Sequence, residues 1–151
     1  MLAIFIALSL TLIIPPVSAD DDAASAKGLV NGLTDSGYIC STDGCSPTDE
    51  TDWWKIYAYK GDIVQIGFSG SMNNPAWWCP GDGWEADYSI HDSSTNQITS
   101  LVVSDAKPTD TLSTTMPTAG YVYVKIKGKN TWCNDGFDYT LNPSINQADR
   151  D

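Results

Sequence analysis

The sequence predicts an all-β fold, built as an antiparallel two-sheet β-sandwich. Apolar and polar residues alternate along several short stretches of the 151-residue chain, and this alternation is the period of a half-buried strand. Gly, Pro, Asn and Asp bound these stretches, as is typical of turns. No stretch after residue 19 carries the apolar stripe of a helix. Two sheets of this kind would bury one face each in a shared core.

The first clear strand is predicted in DWWKIYAY, residues 52–59. One of its faces carries Trp54, Ile56 and Ala58. The other face carries the alternating residues Trp53, Lys55, Tyr57 and Tyr59. Further strands are predicted in the stretches IVQIGF, ADYSIHD, QITSLVVSD, TDTLSTTM, GYVYVKIKG and FDYTLNPSI. An earlier strand is expected near residues 37–40.

The chain is predicted to have four segments. Residues 1–19 hold an apolar run that ends in Val17-Ser18-Ala19, the layout of a secretory signal peptide cleaved after Ala19. The alternative is a retained membrane anchor. Residues 20–36 are predicted to be a flexible acidic leader, residues 37–143 the sandwich domain, and residues 144–151 a polar tail.

The charge of the chain limits its partners. The formal net charge is −11, and residues 1–19 carry no charged side chain. An acidic surface repels phosphate backbones, so nucleic acid is not expected as a partner. Anionic lipid is disfavoured for the same reason, whereas cations and neutral ligands are compatible with this charge.

Four cysteines follow the predicted signal peptide, and an even number in an exported chain indicates two disulfides. Of the three possible pairings we prefer Cys40–Cys45 with Cys79–Cys133. The first would close the short loop CSTDGC, and the second would join two Trp-bearing loops. Zinc is the competing use of these thiols, but the spacing of the cysteines is poor for it.

A Trp-rich loop, PAWWCPGDGW, is the candidate ligand contact. With Cys79 paired to Cys133, one patch would gather four indole rings: Trp77, Trp78, Trp84 and Trp132. Such rings can form a satellite core or lie exposed as platforms for sugars or aromatic ligands. We expect a divided patch, with one or two rings buried and either Trp84 or Trp77 exposed.

Three stretches in this order resemble the bacterial pre-peptidase C-terminal (PPC) domain family. They are TDETDWWKIYAYKGDIVQIGFSG, ADYSIHDSSTNQI and AGYVYVKIKGKN…FDYTLN, and the resemblance covers about residues 46–142. The Trp/Cys loop at 73–86 and the cysteines depart from the family pattern. The resemblance implies a jelly-roll-like sandwich with a non-catalytic role in surface attachment, substrate binding or secretion.

The resemblance also implies calcium. Asp49 and Asp52 match the acidic lead at which collagen-binding relatives hold this ion, and we add Asp43 and Glu50 because they are close in sequence. Calcium prefers six to eight hard oxygen ligands, which such residues supply together with carbonyls and water. The alternative is a group of solvated acidic residues before a strand.

Little in the sequence indicates catalysis. The single histidine, His91, is interpreted as a solvent-facing strand residue before a turn. The stretch GFSGS only begins like a nucleophile elbow, and a zinc peptidase needs a second histidine. A small glycoside hydrolase using carboxylates among Asp82, Glu85 and Asp87 is a minor alternative.

The resulting expectation is a secreted or cell-surface binding and adhesion module that is not an enzyme. Its expected ligand is an extracellular polysaccharide or a protein surface. The main alternative is a structural subunit of an extracellular assembly, which would self-associate through exposed aromatic rings.

Overall fold

The computed structural model describes residues 22–40, 49–72, 83–130 and 136–149, and every structural statement here concerns these residues. They form nine strands and no helix, so none of them belongs to a helix that could cross a membrane. The strands are β1 Lys27–Gly28, β2 Asp35–Ile39, β3 Thr51–Ala58, β4 Ile63–Met72, β5 Glu85–His91, β6 Gln97–Ser104, β7 Thr109–Thr115, β8 Gly120–Asn130 and β9 Phe137–Asn146.

The strands make two sheets, which confirms the predicted all-β fold. One sheet has five strands in the order β1-β3-β8-β5-β6, and the other has four in the order β2-β9-β4-β7. All paired neighbours are antiparallel except β1, which runs parallel to β3. The predicted jelly-roll topology and its support by disulfides stay predictions.

The inner faces of the two sheets share one core. Phe68 of the four-stranded sheet packs against Tyr88 of the five-stranded sheet, with ring centroids 5.3 Å apart. The Tyr88 hydroxyl also donates a hydrogen bond of 2.6 Å to the carbonyl oxygen of Ile66, again from one sheet to the other. This bond satisfies a polar group that would otherwise be costly to bury.

The alternation predicted for the first clear strand is confirmed in β3. Trp54, Ile56 and Ala58 are buried in the core. Tyr57 is exposed on the opposite face of the strand. Because successive side chains of a strand point to opposite faces, this pattern could be predicted from local sequence.

The sheets begin earlier and end later than predicted. β1 and the first two residues of β2 lie in the segment expected to be a flexible leader, and the rest of β2 lies in the strand expected near residues 37–40. β9 continues to Asn146, inside the expected tail. Backbone bonds from Leu29 to Lys55 and from Gly32 to Pro143 hold the early segment on the two sheets. These are non-local bonds of weakly patterned residues, so apolar alternation could not predict them.

Candidate functional site

The acidic lead contributes to the core rather than only to the surface. Asp52 is fully buried, and its Oδ2 accepts a hydrogen bond from the hydroxyl of Tyr139. The Trp54 indole N–H donates to the same hydroxyl at 2.8 Å. Asp49 forms two backbone hydrogen bonds with Cys40, of 2.7 and 2.9 Å, whereas Glu50 is exposed.

Both aspartates influence the Tyr139 hydroxyl. Burial, followed by the charge of Asp52, raises the pKa of the Tyr139 hydroxyl well above its usual value, and the charge of Asp49 adds to this effect. In the described ranges, no group of three or more His, Cys, Asp or Glu residues is placed to hold a metal. Asp43 lies outside these ranges, so calcium at this site stays a prediction.

The Trp-rich loop is described only at its end. Trp84 is 1% exposed and stacks on Phe137, with ring centroids 4.5 Å apart and planes at 19°. Trp84 is therefore a core residue, and the expectation that this ring contacts a ligand is corrected. The remaining candidates of the loop and the disulfides lie outside the described residues, so their roles and pairings stay predictions: Trp77, Trp78, Trp132, Cys45, Cys79 and Cys133.

In the part of the chain that the structure describes, the most exposed group of aromatic rings lies on the outer face of the five-stranded sheet. We call it the aromatic face and define it by six residues: Trp53, Tyr57, Tyr59, His91, Tyr121 and Tyr123. Pairing of β3 with β8 sets Tyr57 opposite Tyr121, and pairing of β5 with β8 sets His91 opposite Tyr123. Side chains on one face of paired strands touch, so the register of three strands builds this surface.

The rings of the aromatic face form a continuous chain of contacts. The centroids of Tyr57 lie 5.4 Å from those of both Tyr59 and Tyr121, with planes at 85° and 83°. Tyr123 lies 6.4 Å from both Tyr121 and Trp53. These are the distances and the tilted or edge-to-face geometries that aromatic pairs favour.

Exposure changes along this chain of rings. At one end Trp53 is 9% exposed, whereas Tyr57, Tyr59 and Tyr121 at the other end are 46%, 52% and 45% exposed. The buried end therefore anchors the face, and the exposed end offers three rings to a ligand.

His91 fixes the buried end, and its interpretation as solvent-facing is wrong. It is 7% exposed and packs on Trp53, with ring centroids 5.0 Å apart. Its Nδ1 lies 3.0 Å from the carbonyl oxygen of Thr95, which can only accept, so Nδ1 carries the proton. The Nε2 then accepts from the Ser89 hydroxyl at 2.9 Å. Bonds at both nitrogens hold the imidazole in one orientation beneath Trp53.

The Ser89–His91 pair resembles part of a nucleophilic site, but its surroundings give it a structural role. Ser89 is 4% exposed and lies in the middle of β5. This strand is paired with β6 on one side and β8 on the other, so its backbone N–H groups form hydrogen bonds between strands. They are therefore not available to stabilise the oxyanion that a nucleophilic reaction would form. The pair therefore positions Trp53.

Lysines surround the aromatic face. The Nζ of Lys125 lies 5.0 Å from the ring centroid of Trp53, and the Nζ of Lys55 lies 5.8 Å from that of Tyr121, both within cation–π range.

Lys129 pairs with Asp87 at 2.9 Å and Glu85 at 3.6 Å. The hydrogen bond to Asp87 raises the pKa of Lys129. Two of the three carboxylates considered for hydrolysis, Glu85 and Asp87, thus belong to a surface ion-pair cluster, and Asp82 lies outside the described residues.

Sequence reasoning placed several of these residues on the strand face opposite Trp54, Ile56 and Ala58 but attached no function to them. The available signal was an alternation of aromatic residues and lysines, in Trp53, Lys55 and Tyr57 and again along GYVYVKIKG. The sequence did not reveal that the two stretches pair side by side.

Comparison with known proteins supports the fold alone. No model of a known protein family matches the chain, and no curated protein matches it either. Among solved structures, the chain is similar to PliG of Aeromonas hydrophila, a periplasmic lysozyme inhibitor of g-type lysozyme. The TM-score is 0.53 at 13% identity, over 80% of this chain and 96% of that one.

A second solved structure is the pre-peptidase C-terminal domain of a collagenase from Bacillus anthracis. Its TM-score is 0.48 at 14% identity, over 80% of this chain and 94% of that one. A TM-score below 0.5 does not establish a common fold, so membership of the PPC family stays a hypothesis.

Proposed function

We propose that the chain is an exported, non-catalytic binding module that holds a partner protein through the aromatic face. One observation carries this proposal. Tyr57 contacts both Tyr59 and Tyr121, and these three rings are about half exposed. Tyr123 connects them to the buried ring of Trp53. Exposed apolar residues that form a contiguous patch are typical of interaction sites, whereas isolated ones are not.

The geometry favours a protein over a sugar. Tyrosine supplies a large contact area with few rotatable bonds, and it is enriched in the energetic centres of protein interfaces. The planes of Tyr57, Tyr59 and Tyr121 stand nearly perpendicular to their neighbours, which makes a corrugated surface. A sugar ring stacks best on a flat open platform, whereas side chains of a protein can enter the spaces between tilted rings.

The similar fold of the Aeromonas protein is compatible with this proposal, because that protein is described as an inhibitor of another protein. Export rests on residues 1–19, whose layout predicts a signal peptide. Assignment to a PPC-type adhesion module agrees with the same role, since the resemblance implies attachment without catalysis.

The proposal is tested by direct binding to immobilised extracellular proteins, with a g-type lysozyme among them, and to a polysaccharide array. We compare the parent with Tyr57→Ala/Tyr121→Ala. The matched control is Val30→Ala/Leu33→Ala, because these side chains are 59% and 61% exposed in the loop between β1 and β2. Circular dichroism and thermal melts verify that all three proteins are folded.

We expect saturable binding of a protein by the parent and the control, and an affinity about tenfold or more lower for the double variant. Binding to polysaccharide alone, or protein binding that the double variant retains, would contradict the proposal. Concentration-dependent self-association that the double variant abolishes would identify a second copy of this chain as the partner.

A further inference from the structure

The outer positions of β3 and β8 concentrate positive charge on an acidic protein. The chain has a formal net charge of −11 and contains eight Lys and Arg residues in all. Four of them occupy these outer positions: Lys55, Lys125, Lys127 and Lys129. Within the described part of β3, β5 and β8, the same face carries two carboxylates, Glu85 and Asp87. This face is therefore positive in an otherwise negative molecule.

From this charge we infer that the partner presents an extended acidic segment to the aromatic face, with its carboxylates at alternate positions. The inference rests on the proposed function, because it identifies the chemistry of the partner at the same face. Complementary charge steers an encounter and fixes its register, which is how such a face would select one partner over others.

The spacing of the lysines indicates an extended segment. Lys125 and Lys127 alternate along β8 and therefore lie about 7 Å apart on one face of the sheet. Lys129 lies at an irregularity in the pairing of β8 with β5 and is paired with Glu85 and Asp87. An extended peptide repeats its own side chains on one face with the same spacing. Glutamates at alternate positions could thus face successive lysines while the intervening backbone stays straight.

The exposed rings of the aromatic face add a second requirement for the partner segment, which is an apolar residue. Lys125 lies over Trp53 and Lys55 over Tyr121, so cationic and aromatic groups alternate across the face. Past the lysines, Tyr121 and Tyr57 leave exposed apolar surface. An apolar residue at the end of the acidic segment would cover these rings.

The size of the positive area argues against a long polyanion. Neighbouring strands lie about 4.8 Å apart, so the three strands β3, β8 and β5 span about 10 Å. In physiological salt, charges interact over only about 8 Å, so the lysines do not attract parts of a ligand that extend beyond this area. Those parts would instead lie near the acidic remainder of the protein. A short acidic protein segment fits within this area, whereas a long anionic polysaccharide would extend past its edges.

The test uses fluorescein-labelled peptides and the full chain, with binding followed by fluorescence anisotropy. One peptide alternates Glu with Thr and ends in Leu-Tyr, the second has Gln in place of every Glu, and the third groups all Glu residues together. The protein variants are Lys127→Gln and, as a matched control, Lys60→Gln. Lys60 is also exposed, but it follows β3 and lies at the opposite end of the strand from Lys127. A sulfated polysaccharide serves as the competing polyanion.

We expect the alternating acidic peptide to bind about tenfold or more tightly than the Gln peptide, with an affinity that falls as salt shortens the screening distance. Lys127→Gln should lower this affinity severalfold, and Lys60→Gln should leave it unchanged. No binding of the acidic peptide, equal binding of the Gln or grouped peptide, or no effect of Lys127→Gln would overturn the inference. Tighter, Lys127-dependent binding of the polysaccharide would overturn it as well.

The two proposals fail in different ways. A partner protein whose binding depends on Tyr57 and Tyr121 but not on salt or Lys127 would overturn the acidic segment and leave the proposed function intact. Binding of the acidic peptide that is insensitive to Tyr57→Ala/Tyr121→Ala would contradict the aromatic face itself.

Discussion

The hydroxyl of Tyr139 donates a hydrogen bond to the buried carboxylate of Asp52, joining the two sheets through their shared core. Trp54 donates to the same hydroxyl, so a single oxygen serves one donor and one acceptor in a fully buried site. Polar groups at such depth stabilise a fold only when each has its partner.

Removal of this hydroxyl should destabilise the protein. We expect Tyr139→Phe to lower the free energy of unfolding by about 1–3 kcal/mol, because the Trp54 N–H and the Asp52 carboxylate each lose a partner. Urea denaturation measures the change. Tyr57→Phe, on the exposed outer face, is the control and should alter the free energy of unfolding by less than about 0.5 kcal/mol. Equal effects of the two substitutions would show that the buried network contributes nothing.

Stability should decline at alkaline pH. Burial raises the pKa of both Tyr88 and Tyr139 above the usual value of about 10. The unfolded chain therefore loses these protons at lower pH than the folded chain. The stabilisation is complete below about pH 10 and is lost as pH rises above it, at about 1.4 kcal/mol per pH unit for each tyrosine.

Urea midpoints measured across this pH range test the linkage. Tyr88→Phe should remove the contribution of one proton from the slope of stability against pH, which is about 1.4 kcal/mol per pH unit. A parent slope equal to that of Tyr88→Phe would contradict the prediction.

Gly70 should not tolerate a side chain. A Cβ at this position would lie 2.5 Å from Cη2 and 2.6 Å from Cζ2 of Trp84, an indole that is itself stacked on Phe137. We expect Gly70→Ala to cost about 1–3 kcal/mol of stability through overpacking. Gly67→Ala is the control from the same strand, since its nearest contact would be an ordinary 3.5 Å to Asn142. Thermal melts of both variants provide the comparison, and similar melting temperatures would argue against tight packing at Trp84.

The predicted calcium site has a direct test in thermal melts with calcium and with chelator. Binding to the native state alone requires the melting temperature to rise with calcium concentration, by an amount equivalent to about 2.7 kcal/mol at a hundredfold excess over Kd. Asp52→Asn should remove most of this gain, and magnesium should substitute poorly. Identical melts in calcium and chelator would leave Asp52 with only its internal role as acceptor for Tyr139.

The sequence by itself determined which residues of a clearly alternating strand share a face. It placed Trp54, Ile56 and Ala58 on one face of β3 and Tyr57 on the other, and the structure shows the first three in the core and Tyr57 exposed. Such a prediction succeeds because alternation is a property of the extended backbone and needs no knowledge of neighbouring strands. Strand β2 was expected from residue 37 onward, but its first two residues were assigned to the leader and β1 was not predicted. Such short stretches without clear alternation acquire their conformation from pairing with other strands, β2 with β9 and β1 with β3.

Only the tertiary structure decided which faces meet. Tyr57 contacts Tyr121, and Asp52 contacts Tyr139, although each pair is far apart in sequence. Strand neighbours and register follow from burial of the whole core, which no local pattern encodes. For the same reason Trp84, part of a loop expected to present a ligand site, packs inside the core. Among the described residues, exposed tyrosines gather on the outer face of β3 and β8.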